Sequence, residues 1–341
     1  MIRVNRADKQ YYAYVCNQGS NSISQYFVSA YGGLLPMPNA KVKAGTTPVY
    51  IAIAPSGKFA YVSNQGGNSV SQYKIGANGN IEVIAAPVAA GTSPVQIAID
   101  PTGRYAYVAN SSSNDVSQYS IGEDGIFKAM SPATVETGMI PVAVSVDPSG
   151  KYVYVVNNSG NDISQYTITE NGSLMAMSPA KVVAGKSPRA MAIHPSGKFV
   201  YVVNRAGGDV SQYAITPYGN LEPVAISITG GKHPFSICIA PSGKHAYVLN
   251  QNSNNISQFN LTEDGSLVPM IPATVDSPVT PVSMAIASSG KYAYVTNIKS
   301  NDVSQYAIGE QGELSVIPAN KWGDTTVAAE ISPRCVLTVS T

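Results

Sequence analysis

Pro48 to Ala90 reads PVYIAIAPSGKFAYVSNQGGNSVSQYKIGANGNIEVIAAPVAA. Ile51-Ala52-Ile53-Ala54 is a short run of apolar and small residues. Pro55-Ser56-Gly57-Lys58 is a turn, because Pro presets φ and Gly tolerates positive φ. Phe59 to Ser63 is rich in aromatic and β-branched residues, which favour strands. A polar loop, Asn64 to Asn68, leads into Val70-Ser71-Gln72-Tyr73-Lys74-Ile75, a strand with period-2 alternation. Asn78-Gly79 is a hairpin turn, and Ile81 to Ile84 is a fourth strand. The stretch predicts a four-stranded antiparallel meander.

The chain repeats it. Ser-Gln-Tyr, once Ser-Gln-Phe, recurs with its Gln at 25, 72, 118, 165, 212, 258 and 305, in steps of 46 or 47 residues. A fixed period in the forties marks an array of one supersecondary unit. No window shows sustained helical periodicity. One such sheet cannot bury both faces alone, whereas seven set radially can. The expected fold is therefore an all-β, seven-bladed β-propeller with strands A to D running outward from the axis. The A–B and C–D turns fall at the bottom. The B–C loop and the D–A connection between blades fall at the top.

Residues 11–38 begin mid-unit. Tyr12 to Asn17 matches strand B, Ile23 to Val28 strand C, and Leu34-Leu35 strand D. The missing strand A is expected from 326–333, where Val327 to Pro333 fits the pattern. The ring would then close by pairing of the C-terminus with N-terminal strands, leaving no open sheet edge. Residues 1–341 read as a single domain, and the stretch 335–340 is left as an additional strand without a vacancy. Each unit ends strand B with Asn and carries Gly at the C–D turn. What recurs in every blade reads as structural, with Ser-Gln-Tyr joining neighbouring blades.

Charged residues make up 12% of the 341 and the net charge is +1. That balance offers no field for nucleic acid or an acidic membrane. Cys16, Cys238 and Cys335 have no metal-ligand or disulfide-framework spacing and read as buried small hydrophobes. No run has the roughly 18–20 apolar residues of a membrane helix. Abundant Asn, Ser and Tyr favour a secreted, periplasmic or cell-surface location, with a targeting segment absent from this chain, over a cytoplasmic one. Neither a cofactor nor a metal is implied, and the expected state is a monomer.

Tyr-Val-Ser-Asn (61–64), Tyr-Val-Val-Asn (201–204) and Tyr-Val-Thr-Asn (294–297) resemble YVTN-type repeats. The wider pattern, Pro-Ser-Gly-Lys-x-x-Tyr-Val-x-Asn followed by Val-Ser-Gln-Tyr, resembles the bacterial lactonase-like seven-bladed propellers, a group that includes 6-phosphogluconolactonases. The family pattern runs Pro-Arg-His-x-x-Phe-His-Pro, then Val-Val-Asn-Glu. Pro188-Arg189-Ala190-Met191-Ala192-Ile193-His194-Pro195 and Val202-Val203-Asn204-Arg205 match it, with Ala190 and Arg205 in place of the first His and the Glu. The resemblance implies a propeller and, as an activity, hydrolysis of a sugar lactone.

In a near-regular array, function is sought where one repeat departs from the rest. Most D–A connections are bland, but two read Lys186-Ser187-Pro188-Arg189 and Lys232-His233-Pro234-Phe235. The residue after the strand-B Asn is Arg205 in one of these blades. Lys186, Arg189, Arg205, Lys232 and His233 are expected on the top face of two adjacent blades, with Phe235 as an apolar wall. Such a set suits a phosphate or carboxylate. The first reading is a non-catalytic binding or scaffold propeller whose top face takes a small anion, a glycan or a protein. The alternative is a lactonase in which Arg189 and Arg205 hold the anionic group or oxyanion and His233 activates water. Glu330 is read as part of strand A, projecting into the channel or between blades, with a structural partner such as a buried Arg and a catalytic role both open. Trp322 in the closing connection is expected to pack, and His194 and His245 to be ordinary exposed residues of the bottom turn.

Overall fold

The computed structural model describes residues 10–229, 231–318 and 326–340. Seven antiparallel sheets form, each with its strands in the order A-B-C-D. In the fourth blade these are Pro141–Val146, Tyr152–Asn157, Asp162–Ile168 and Leu174–Val183. The innermost strands pack in succession, and the last packs against the first. Strand B is buried on both faces in every blade, for example Tyr152–Asn157, whereas strand D alternates one inward residue with exposed ones. This gradient is what radial packing requires.

The apolar core divides into clusters, each drawn from two neighbouring blades. No blade has a core of its own, so each depends on its neighbours. The repeated residues make the joints. The strand-B tyrosine donates to the carbonyl of the C–D turn glycine one blade on, as Tyr154 Oη does to Gly219 O at 2.6 Å. The tyrosine of Ser-Gln-Tyr reaches one blade back, as Tyr166 Oη does to Glu136 O at 2.6 Å. The glutamine sits where C–D pairing breaks register, between Ser164 and Tyr166 in the fourth blade. Gln165 accepts from Leu221 N of the next blade at 2.7 Å and donates to Pro179 O of its own outer strand at 3.0 Å.

The turn glycine is required twice over. Gly219 has φ +84°, and a Cβ there would lie 2.2 Å from the Tyr152 ring. Over Gly312, in the joint between the sixth and seventh blades, His245 stands where the other joints have Tyr or Phe. It is thus the first residue of strand His245–Asn250 rather than a turn residue. The strand-B asparagine bonds side chains: Asn157 Nδ2 donates to Asp162 Oδ1 at 2.6 Å and to Ser164 Oγ at 2.9 Å. It also bonds backbone in some blades: Gly45 N donates to Asn64 Oδ1, Gly138 N to Asn157 Oδ1, and Asn297 Nδ2 to Val295 O.

The ring closes through Pro333–Ser340, which pairs with Tyr11–Asn17 as strand A of the first blade. The expected span 326–333 is corrected. Thr326–Ala328 belongs to the seventh blade, pairing with Asp302–Ile308 as the second part of an outer strand begun by Leu314–Val316. The physical reason lies in the entry to strand A. Ser332 has φ +55° and precedes Pro333, as Ser187, φ +50°, precedes Pro188. The strand begins at that proline, so it cannot lie before it. Glu330 consequently sits in the D–A connection at the rim, where it pairs with Lys41 at 3.0 Å. Trp322 lies outside the described residues.

Candidate functional site

Each innermost strand starts with proline, and its second residue stands at the top mouth of the central channel. Around the ring these are Val49, Val95, Val142, Arg189, Phe235, Val282 and Arg334, all lining one cavity of about 290 Å³. That volume lies near the lower end for small-molecule sites, about 300–1,000 Å³. Deeper in the same cavity lie Tyr50, Gln96, Ser236, Ser283 and Cys335. Leu337 also lines it, at a register position that carries Ala52, Ala98 or Cys238 in other blades.

Two guanidiniums therefore enter a mouth otherwise lined by valines, Phe235 and Gln65. The Arg189 guanidinium carbon lies 4.3 Å from the Phe235 ring centroid, a cation–π contact. Arg334 Nε donates to Gln18 Oε1 at 2.6 Å. Neither arginine forms an ion pair among the described residues, where the recorded pairs are Lys41–Glu330 and Lys181–Asp162. Burial, and secondarily the charges of Arg334 and Arg205, lower the Arg189 pKa to about 10. Burial lowers that of Arg334 as well. Both remain cationic at neutral pH, at an electrostatic cost that a bound anion would relieve.

The rim is built from backbone. The residue after each strand-B asparagine donates its N–H to the D–A connection, as Arg205 N does to Ser187 O at 2.9 Å and Gln251 N to His233 O at 3.1 Å. This places the B–C loops and the connections on one face, as the turn assignment required. In six blades an asparagine of the preceding B–C loop caps the connection, as Asn161 Oδ1 accepts from Ser187 N at 2.7 Å. At the connection carrying Lys232 and His233 the corresponding residue is Gly208, which has no side chain to do so.

The proposed set divides accordingly. Arg189 and Phe235 line the cavity together. Arg205 is exposed above it and donates through Nη2 to Gln251 Oε1 at 3.2 Å. Lys186, Lys232 and His233 are exposed on the rim and do not line the cavity. His194 is held at the bottom by Ser196 and by Gly243 O, 2.8 Å from Nε2. Arg334 was missed because the closing strand was placed too early. The available signal was Ser332-Pro333-Arg334, which repeats Ser187-Pro188-Arg189.

Among the described residues, no carboxylate or imidazole lines the cavity. Burial raises the Cys238 thiol to about 12 and the Cys335 thiol to about 11. The Tyr50 phenol is also pushed upward, first by burial. These groups stay protonated at neutral pH and are poor bases or nucleophiles there. The recess supplies positive potential, apolar contact and a few hydrogen-bonding groups.

The model of the family described as Lactonase, 7-bladed beta-propeller, matches residues 34–129, 126–233, 190–279 and 237–326. No curated protein matches the chain. Among solved structures, a Bacteroides uniformis candidate 6-phosphogluconolactonase is similar at 21% identity and TM-score 0.85, over 97% of this chain and all of that one. A Bacteroides fragilis candidate 6-phosphogluconolactonase is similar at 20% identity and TM-score 0.84, over 98% of this chain and 99% of that one. The periplasmic gluconolactonase of Pseudomonas aeruginosa is similar at 20% identity and TM-score 0.79, over 97% and 99%. At these identities the likeness is one of fold.

Proposed function

Because the chain belongs to the lactonase family of seven-bladed β-propellers, we propose that it hydrolyses a small anionic lactone of the sugar-lactone class at the channel mouth. The observation that carries this reading is the pair Arg189 and Arg334, two recessed guanidiniums in one cavity with no carboxylate partner among the described residues. One would hold the substrate's phosphate or carboxylate, and the other the oxyanion. Water adds to the lactone carbonyl carbon, and the carbonyl oxygen takes up negative charge beside a guanidinium. The ring C–O bond then breaks, the ring oxygen gains a proton, and a hydroxy acid is released as its carboxylate with one proton. His233, exposed on the rim outside the cavity lining, activates water only for a lactone that reaches from the guanidiniums to the rim, where Arg205 is a second contact for the anion. Aromatic and valine side chains of the mouth would exclude water from the non-reacting face of the substrate.

Proton release by a panel of phosphorylated and plain lactones, followed by pH-stat, tests this reading. Turnover above the buffer blank that falls at least tenfold in Arg189→Met and Arg334→Met supports it. Turnover equal to the blank across the panel overturns hydrolysis of the tested lactones. The second reading is non-catalytic recognition of a small anion, glycan or protein on the same face. It is favoured by one observation: among the described residues, no carboxylate or imidazole lines the cavity. Anion binding without turnover, lost in the same variants, would establish it.

A further inference from the structure

We propose that Cys16 and Cys335 form a disulfide that closes the propeller ring covalently. Cys16 is in strand B of the first blade and Cys335 in strand A; both are free thiols in this structure and are opposite in the antiparallel pairing, next to a register shift between Cys16 and Asn17. Opposed residues on antiparallel strands point to the same face, with Cα atoms roughly 4.5 or 5.5 Å apart depending on the pair type. Both spacings fall within the ~4.4–6.8 Å that a disulfide spans. Both side chains belong to the same core cluster between the first two blades, with 0% and 2% of their surface exposed.

The pairing is peculiar to this blade. The equivalent opposed pairs elsewhere are Tyr50–Ser63, Ala143–Val156, Ala190–Val203, Ser236–Leu249 and Ser283–Thr296. Cysteine thus faces cysteine in the sheet where the two ends of the chain meet. Cys238 lies opposite Tyr247 in the sixth blade, with the seventh blade between it and the first.

The bond needs a two-electron oxidant, here a low-molecular-weight disulfide. One cysteine thiolate attacks it, forms a mixed disulfide and releases one small thiolate. The second cysteine thiolate attacks the protein-side sulfur and releases the other. Two protons and two electrons leave the protein, and the small disulfide becomes two thiols. Burial raises both thiol pKa values, with Cys335 a further cause at Cys16. Exchange therefore proceeds while the closing strand is undocked, before the ring shuts or during its opening. The link joins residues near the two ends of the chain, so it restricts the unfolded ensemble over almost the full length.

The test equilibrates the full-length chain in oxidised or reduced glutathione while it refolds from denaturant, then counts thiols after acid quenching and denaturation. The proposal expects one free thiol in the oxidised sample, a mass lower by about 2 Da, and a peptide linking Cys16 to Cys335. Cys16→Ser and Cys335→Ser should each retain two thiols and gain no bridge. The oxidised wild-type chain should also melt higher than the reduced one, by on the order of several degrees. Three free thiols after oxidative refolding would overturn the proposal, as would a bridge mapped to Cys238. Mapping the wild-type chain decides the point even where a serine variant fails to fold.

Discussion

Arg189 and Arg334 occupy positions that valine holds in four other blades. Their cost is electrostatic, since both are partly withdrawn from water and lie near other cations. Replacing either by methionine removes that cost while keeping most of the side-chain volume. We expect Arg189→Met and Arg334→Met to be at least as stable to heat as the parent in anion-free buffer. The parent should gain thermal stability in phosphate or gluconate, and the variants should gain none. A parent indifferent to both anions would count against an anion site. Gly219 makes the opposite case. Its positive φ and the Tyr152 ring 2.2 Å from a built Cβ leave no room for a methyl group. Gly219→Ala should destabilise by about 1–3 kcal/mol, read from denaturant midpoints.

The strands owe their stability to bonds that leave the blade. Tyr154→Phe would orphan Gly219 O, which is buried in the joint between the fourth and fifth blades. Loss of about 1–3 kcal/mol is expected from the unsatisfied carbonyl, measured by urea unfolding. Gln165→Leu removes two bonds at once, one to Leu221 N and one to Pro179 O. It should cost at least as much as Tyr154→Phe, because a backbone donor and a backbone acceptor both lose their partner. An effect below about 0.5 kcal/mol would mean that water replaces the amide there. The same bonds explain why Ser-Gln-Tyr recurs: the serine takes the asparagine, the glutamine bridges a register break, and the tyrosine reaches the previous blade.

Closure determines whether the array is one cooperative body. The first blade obtains its innermost strand from Pro333–Ser340. A chain ending at Ser332 would leave the edge of Tyr11–Asn17 unpaired and the cluster around Cys16 open. It should unfold at lower temperature and in a broader transition, or associate through the exposed edge. Ending the chain at residue 325 removes in addition the outer-strand piece Thr326–Ala328, which lies at the periphery. Most of the loss should already be present at Ser332. If truncation at Ser332 left the melting transition unchanged, the closing role of the last strand would be wrong.

The periodic residues carried the architecture in plain view. A short period, tight turns and the alternation of strands B and C leave few ways to bury so many sheets, and the radial ring satisfies them. Arg189 and Phe235 were legible for the complementary reason, as departures from a regular pattern. Two features required the folded chain. The closing strand was ambiguous because the segment before Pro333 has strand-like composition too, and strand pairing selects between them through contacts more than three hundred residues apart in sequence. Arg334 and the cysteine pair followed from that register, since neighbours across a closed ring are set by geometry that no local pattern encodes. Likewise, His233 and Lys232 share their sequence neighbourhood with Phe235, yet the left-handed turn at His233 leaves them exposed on the rim while Phe235 enters the channel.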